Sequence, residues 1–137
     1  MARVRLDRAA LSRTITNATR RELTEAGRQV VNRAKVLAPV RTGRLRSSIR
    51  AEPPRIFSLR GSLTVGSDLE YAGFVNDGTR PHRIVPRRTG GVLRFTVGGR
   101  VVYARVVNHP GTRARPFLDQ ALREVAAQRG YSFRTRS

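Results

Sequence analysis

The side chains best suited to chemistry are two histidines, His82 and His109, each beside a proline in a turn-like segment, 79-TRPHR-83 and 107-VNHPGT-112. An imidazole at either place could act as a general base or a metal ligand. Both tasks need company. A metal centre needs three or four ligands in a set geometry, and no acidic pair stands at ligand spacing from either histidine. A nucleophilic triad needs an activated serine, and the chain has no Gly-x-Ser-x-Gly elbow. Cysteine is absent, which removes thiolate catalysis, cysteine-based zinc sites and disulfides. The glycines of 90-GGVLRFTVGG-99 flank a strand-like run instead of opening a helix, so they form no phosphate cradle. Glu22 and Glu25 lie one helical turn apart among arginines and read as surface ion-pair partners. The expectation is therefore a protein that is not an enzyme, with no catalytic residue, no metal ligand and no cofactor. Its histidines are expected to be hydrogen-bonded loop residues.

A short phrase used twice is more informative. The stretch 71-YAGFVNDGTRPH-82 is echoed by 103-YARVVNHPGTRARP-116: Tyr-Ala, two residues, Val-Asn, then a turn ending Gly-Thr-Arg, then proline. Asn76-Asp77-Gly78 supplies residues that tolerate positive φ or bond their own backbone. His109-Pro110-Gly111 suits a type II turn, with proline second and glycine third. Thr79 and Thr112 can bond nearby backbone, while Arg80 and Arg113 point off the turns. Two rigid turns after strand-like segments would brace one surface. The candidate assembly and turn residues are Tyr71, Asn76, Gly78, Thr79 and Arg80 in the first copy. In the second they are Asn108, His109, Pro110, Gly111 and Thr112, with Pro116 and Phe117 beyond.

The elements that must position these turns follow from periodicity. Residues 7–38 read as one long helix, capped by Asp7 and ended by Pro39. Leu11, Ile15 and Ala18 share one face, and Leu23, Ala26, Val30, Ala34 and Leu37 an offset one, which suggests a bend between 20 and 27 or different partners along the length. About 30 helical residues would run ~45 Å, longer than the sub-40 Å diameter of a domain this size, so the helix should overhang onto a neighbour. After a turn at 39-PVRTG-43, Ile49, Ala51 and Ile56 alternate weakly, and Pro53-Pro54 confines that strand to an edge or a bulge. A turn at Arg60-Gly61 leads into 62-SLTVGS-67. A second hairpin, 92-VLRFTV-97 and 100-RVVYARVV-107, turns at Gly98-Gly99. Phe95 and Tyr103 could face each other across it, as core packing more readily than as a base-stacking platform. A closing helix opens at Pro116, buries Phe117, Leu118, Ala121, Leu122 and Val125, and stops at Gly130. The predicted fold class is α+β: a long N-terminal helix, an antiparallel sheet built from two β-hairpins, and a C-terminal helix packed on it. It forms one domain over 1–137 with frayed ends at about 1–6 and 131–137.

Charge is the compositional outlier. Lys and Arg number 28 against 9 Asp and Glu, a net +19, and Lys35 is the only lysine. Such a field attracts polyanions and opposes self-association, so nucleic acid, acidic protein partners and a merely solvated surface all remain open. The N-terminus lacks the apolar core of a signal peptide, and no apolar run approaches the ~18 residues of a membrane span, so assembly inside a cell without membrane contact is expected.

In order, 38-APVRTGRLRSSI-49, 71-YAGFVNDGTRPHRI-84, 93-LRF-95, 109-HPGT-112 and 116-PFLDQAL-122 resemble a family of tailed-phage neck or tail-completion proteins. These are tail components encoded between the head-closure and tail-tube genes of long-tailed phages. The resemblance covers residues 38–122 and keeps order and spacing. It implies a structural virion protein, a ring subunit at the head–tail junction, assembled in the host cytoplasm. Its partners would be itself, as a ring expected to be a hexamer, and the adjoining head-closure and tail-terminator or tail-tube proteins. Double-stranded DNA crossing the junction would be a non-specific contact for the arginines. The alternatives are a tail terminator ring, a basic nucleic-acid-binding protein and, with little support, a small nuclease.

Overall fold

Period-two alternation sets the first element. In 2-ARVRLDR-8 the apolar residues fall on one face, and the segment forms strand β1 (Ala2–Arg8) with Ala2, Val4 and Leu6 buried. The computed structural model describes residues 2–8, 16–57 and 60–131. Helix α1 (Thr16–Leu37) follows and buries Leu23, Ala26, Val30 and Ala34, a stripe at helical spacing. Gly43, at φ 79, leads into a one-turn helix α2 (Arg44–Ser48). An edge strand is then broken into β2 (Arg50–Ala51) and β3 (Arg55–Phe57), both antiparallel to β4 (Arg60–Ser67).

β4 is the centre of the main sheet, flanked by β1 on one side and by β2 and β3 on the other. Ala51 pairs with Val65 but Arg55 with Ser62, so four steps on the edge strand match three on β4: a one-residue bulge at Pro53-Pro54. Helix α3 (Glu70–Asp77) leads to strands β5 (His82–Ile84), β6 (Leu93–Val97), β7 (Arg100–Ala104) and β8 (Val107–His109), and helix α4 (Phe117–Arg129) closes the chain. α1 and α4 pack together, α1 against β4 and α4 against β1. Gly27 explains the close approach of α1: a Cβ there would sit 2.6 Å from a Leu63 methyl. Phe117, Leu118, Ala121, Leu122 and Val125 are buried as expected, each large one contributing roughly 1.5–3 kcal/mol. Gly130, at φ 68, ends α4, with its N–H and that of Tyr131 returning to the carbonyls of Ala127 and Ala126.

The structure corrects several expectations. Asp7 belongs to β1, so it does not cap the helix, and the N-terminal segment is a paired strand instead of a frayed end. The described helix has 22 residues, or ~33 Å. That described length does not outgrow the domain, so it gives no ground for a neighbour. Ala18 is exposed, and Leu11 and Ile15 lie outside the described residues. Arg60 and Gly61 are in β4, not in a turn. Residues 44–48, expected to lead into a strand, are helical because α2 seats Leu45 in the core. Tyr131 packs on the core and its hydroxyl meets Glu22, while 132–137 lie outside the described residues. The fold is α+β with antiparallel sheets, but the two hairpins do not share one sheet: β6–β7 forms its own ribbon and β5–β8 another.

Candidate functional site

The two copies of the repeated phrase meet. Thr79 donates its N–H to the Thr112 carbonyl at 3.0 Å, and Thr112 returns one to Thr79 at 3.1 Å. Their hydroxyls lie 2.7 Å apart, and the Thr112 N–H also reaches the Thr79 Oγ1 at 3.0 Å. Beyond this bridge β5 and β8 pair, with His82 opposite His109 and Arg83 opposite Asn108. The imidazole centroids are 5.0 Å apart. The Gly111 N–H donates to His109 Nδ1 at 3.0 Å, while His82 Nδ1 faces the Arg80 carbonyl at 2.9 Å and so must donate. Both imidazoles are thus hydrogen-bonded locally, but from strand ends and not from loops as expected. Among the described residues no three His, Asp or Glu side chains are grouped to hold a metal ion.

Gly78 and Gly111 make this crossing possible. Both have positive φ, 73 and 85. A Cβ on Gly78 would lie 2.6 Å from the Thr112 carbonyl oxygen, and one on Gly111 would lie 2.3 Å from that of Thr79. Each copy's glycine faces the other copy's threonine, and only a hydrogen fits there.

Asn76 was expected in a turn. It sits instead in the last turn of α3, buried, and caps a helix 42 residues away. Its Oδ1 accepts the Leu118 N–H at 3.1 Å, and its Nδ2 donates to Asp77 at 2.8 Å and Asp119 at 2.9 Å. The Val75 carbonyl accepts the Arg115 N–H at 2.8 Å. The end of α3 is thereby locked to the start of α4. Pro116 occupies the N-cap position and Phe117 is the first helical residue, so the helix starts one residue later than expected.

Residues 78–116 leave the body between these locks as an arm. It carries nine arginines and no acidic residue. None of residues 77–116 is buried. Its outer ribbon turns at Gly98-Gly99, at φ 54 and 79, the dihedrals that fit a primed hairpin turn. Phe95 pairs with Val102 and Tyr103 with Arg94, so the expected Phe95–Tyr103 pair does not form. The expected core role fails too, because no residue of the ribbon is buried. Leu93, Phe95, Val97, Val102 and Ala104 share one face, and Val97 is 58% exposed. Asn108 and Pro110 are exposed on β8 and the turn after it, as is Arg80.

Tyr71 lies on α3, not on a strand, and is 41% exposed. Glu70, Phe74 and Asp77 share one face of α3 at i, i+4, i+7 spacing, and Tyr71 lies beside Phe74 at i, i+3. That patch was missed because 71–75 spelled a strand; the helical spacing of Ala72, Val75 and Asn76 was the available signal. Beside an open groove between α1 and α4, Glu124 accepts from Arg33 of α1 and from Gln120 of its own helix.

Over residues 5–78 the chain matches a family described as "Bacteriophage HK97-gp10, putative tail-component". The class so defined is a structural component of a bacteriophage tail, and hence a part of the virion. The chain belongs to the HK97-gp10-like family. The match runs through the main sheet and α3 and ends at Gly78, where the arm leaves the body. Comparison with curated proteins and with solved structures found no match.

Proposed function

We propose that the protein is a subunit of a closed ring at the head–tail junction of a long-tailed bacteriophage, a neck or tail-completion ring, and that its role is structural and not enzymatic. Membership of a tail-component family supports a place in the tail. The observation that carries the finer reading is the arm: a 39-residue excursion without one buried residue, held by two sets of long-range locks at its base. A rigidly mounted segment with no core of its own is completed by something outside the chain. A head-to-tail contact that closes by rotation supplies this without an exposed terminal subunit, and six copies is the proposed number. Head-closure and tail-terminator or tail-tube proteins are the proposed neighbours above and below, and assembly takes place in the host cytoplasm.

Sedimentation across a salt series tests the ring. The +19 charge opposes assembly at low salt, so a discrete oligomer should appear as salt rises. A closed two-fold dimer, or a monomer at every salt concentration, counts against it. Hydrolysis of DNA, RNA or peptide by the pure protein, abolished in His82→Asn/His109→Asn, would overturn the non-enzymatic role.

The nine arginines of the arm favour a second reading, a basic nucleic-acid-binding protein. It requires tight duplex binding by the isolated monomer, with affinity falling steeply as salt rises. In the ring reading the same arginines meet channel DNA non-specifically or face acidic neighbouring rings. No described helix is long and apolar enough to cross a membrane.

A further inference from the structure

We infer that the apolar face of the β6–β7 ribbon docks on the exposed face of α3 in a second copy of this chain. The inference rests on the ring reading and names the contact that closes it. The ribbon places Leu93, Phe95, Val97, Val102 and Ala104 on one side, with Arg100 opposite Val97 near the tip. On α3, Tyr71 and Phe74 are exposed, Phe74 by 59%, with Glu70 one step to the N-terminal side and Asp77 at the C-terminal end. Neither Glu70 nor Asp77 forms an ion pair among the described residues. Phe74, flanked by two carboxylates with Tyr71 beside it, therefore stands exposed in the same chain as an apolar ribbon face that carries Arg100 near its tip, on an arm with nine arginines.

Charge selects the occupant. All nine acidic residues of the chain lie outside 78–116 and all nine arginines of the arm lie within it, so arm-to-arm pairing sets like charge against like. Duplex DNA would satisfy the arginines but leave the valine and phenylalanine face without an apolar surface to cover it. The α3 face offers both chemistries. Because ribbon and α3 face are both open in one chain, the contact joins different patches on different copies. Such a contact is head-to-tail and propagates until it closes.

The chain has no cysteine, so introduced thiols report alone. Val97→Cys and Phe74→Cys are made singly and together, and treated with a short bis-maleimide under the salt conditions in which the parent assembles. The two single variants mixed should give a covalent dimer and nothing larger. The double variant should give a ladder ending at the ring size, and neither single variant alone should cross-link. Glu70→Lys should raise the concentration for half-assembly about tenfold, less so at high salt. A dimer from Val97→Cys alone would mean arm-to-arm pairing and overturn the inference. So would an assembled parent with no mixed cross-link, which leaves the ring standing on another surface. A parent monomeric throughout removes the ring and this contact together. Protection of Val97→Cys by a short DNA duplex in place of a second copy would assign the ribbon to nucleic acid.

Discussion

Thr79 and Thr112 hold each other by both backbone hydrogen bonds and by their hydroxyls, 33 residues apart in the chain. The repeated phrase is therefore one device made of two halves, each supplying the threonine that the other's glycine leaves room for. Closing a loop of this length costs a few kcal/mol of chain entropy, which two isolated turns would not offset. The reciprocal bridge fixes where the arm leaves the body, and the Asn76 lock fixes it a second time.

Gly78→Ala and Gly111→Ala should open this bridge. Each forces a side chain into the left-handed region and against backbone at under 3 Å, at a cost of about 1–3 kcal/mol. The damage should be local. Hydrogen exchange should speed at the Thr79 and Thr112 amides, while the amides of α1 and α4 keep their protection. Unchanged exchange at both threonines would show that the bridge tolerates a Cβ.

Asn76→Ala should cost about 2 kcal/mol in urea unfolding, because the Leu118 N–H loses its acceptor in a buried place. Asn76→Asp keeps an acceptor but sets a third carboxylate beside Asp77 and Asp119. Its deficit relative to the parent should shrink as pH falls from 7 to 4 and that charge is neutralised. Equal deficits at both pH values would contradict the assignment.

Phe117→Ala removes a fully packed ring at the first residue of α4 and should cost about 3–5 kcal/mol. A variant that melts with the parent would mean that α4 does not close the core.

Arg33 and Glu124 tie α1 to α4. The Glu124 carboxyl is held below the usual carboxylate range, first by the Arg33 hydrogen bond and then by that of Gln120. A carboxyl depressed in the folded state stabilises above its unfolded pKa, and that contribution is lost as pH falls through the folded value. Arg33→Gln should therefore lower the Tm at pH 7 by more than at pH 3. Both side chains are over 30% exposed, so added salt should narrow the gap at pH 7. A gap independent of pH would contradict the pairing.

The parts open to sequence reading were those decided locally. Gly98-Gly99 between alternating runs, Pro53-Pro54 on an edge, and the stripe from Phe117 to Val125 with Gly130 after it each carry their signal within a few residues. β1 carried one too, in the alternation of 2-ARVRLDR-8, but Asp7 before a helical pattern suggested a cap and hid it. Tyr-Ala-x-x-Val shows where local reading ends: it is helical at 71–75 and mainly strand at 103–107, because Ala72 is buried against the body and Ala104 is on the arm. Alternation located the second hairpin and its turn but not its faces: Phe95 and Tyr103, read as a facing pair, lie on opposite sides. The Asn76 cap depends on a partner 42 residues away, which no window of neighbouring residues contains.

Cryo-electron microscopy of the intact virion, reconstructed at the head–tail junction, tests the central claim most directly. The account predicts a closed ring of this chain around the DNA channel between the head-closure and tail proteins, with each 78–116 arm lying on the α3 face of the next copy. The same chain found elsewhere in the tail, or absent from the particle, would contradict it.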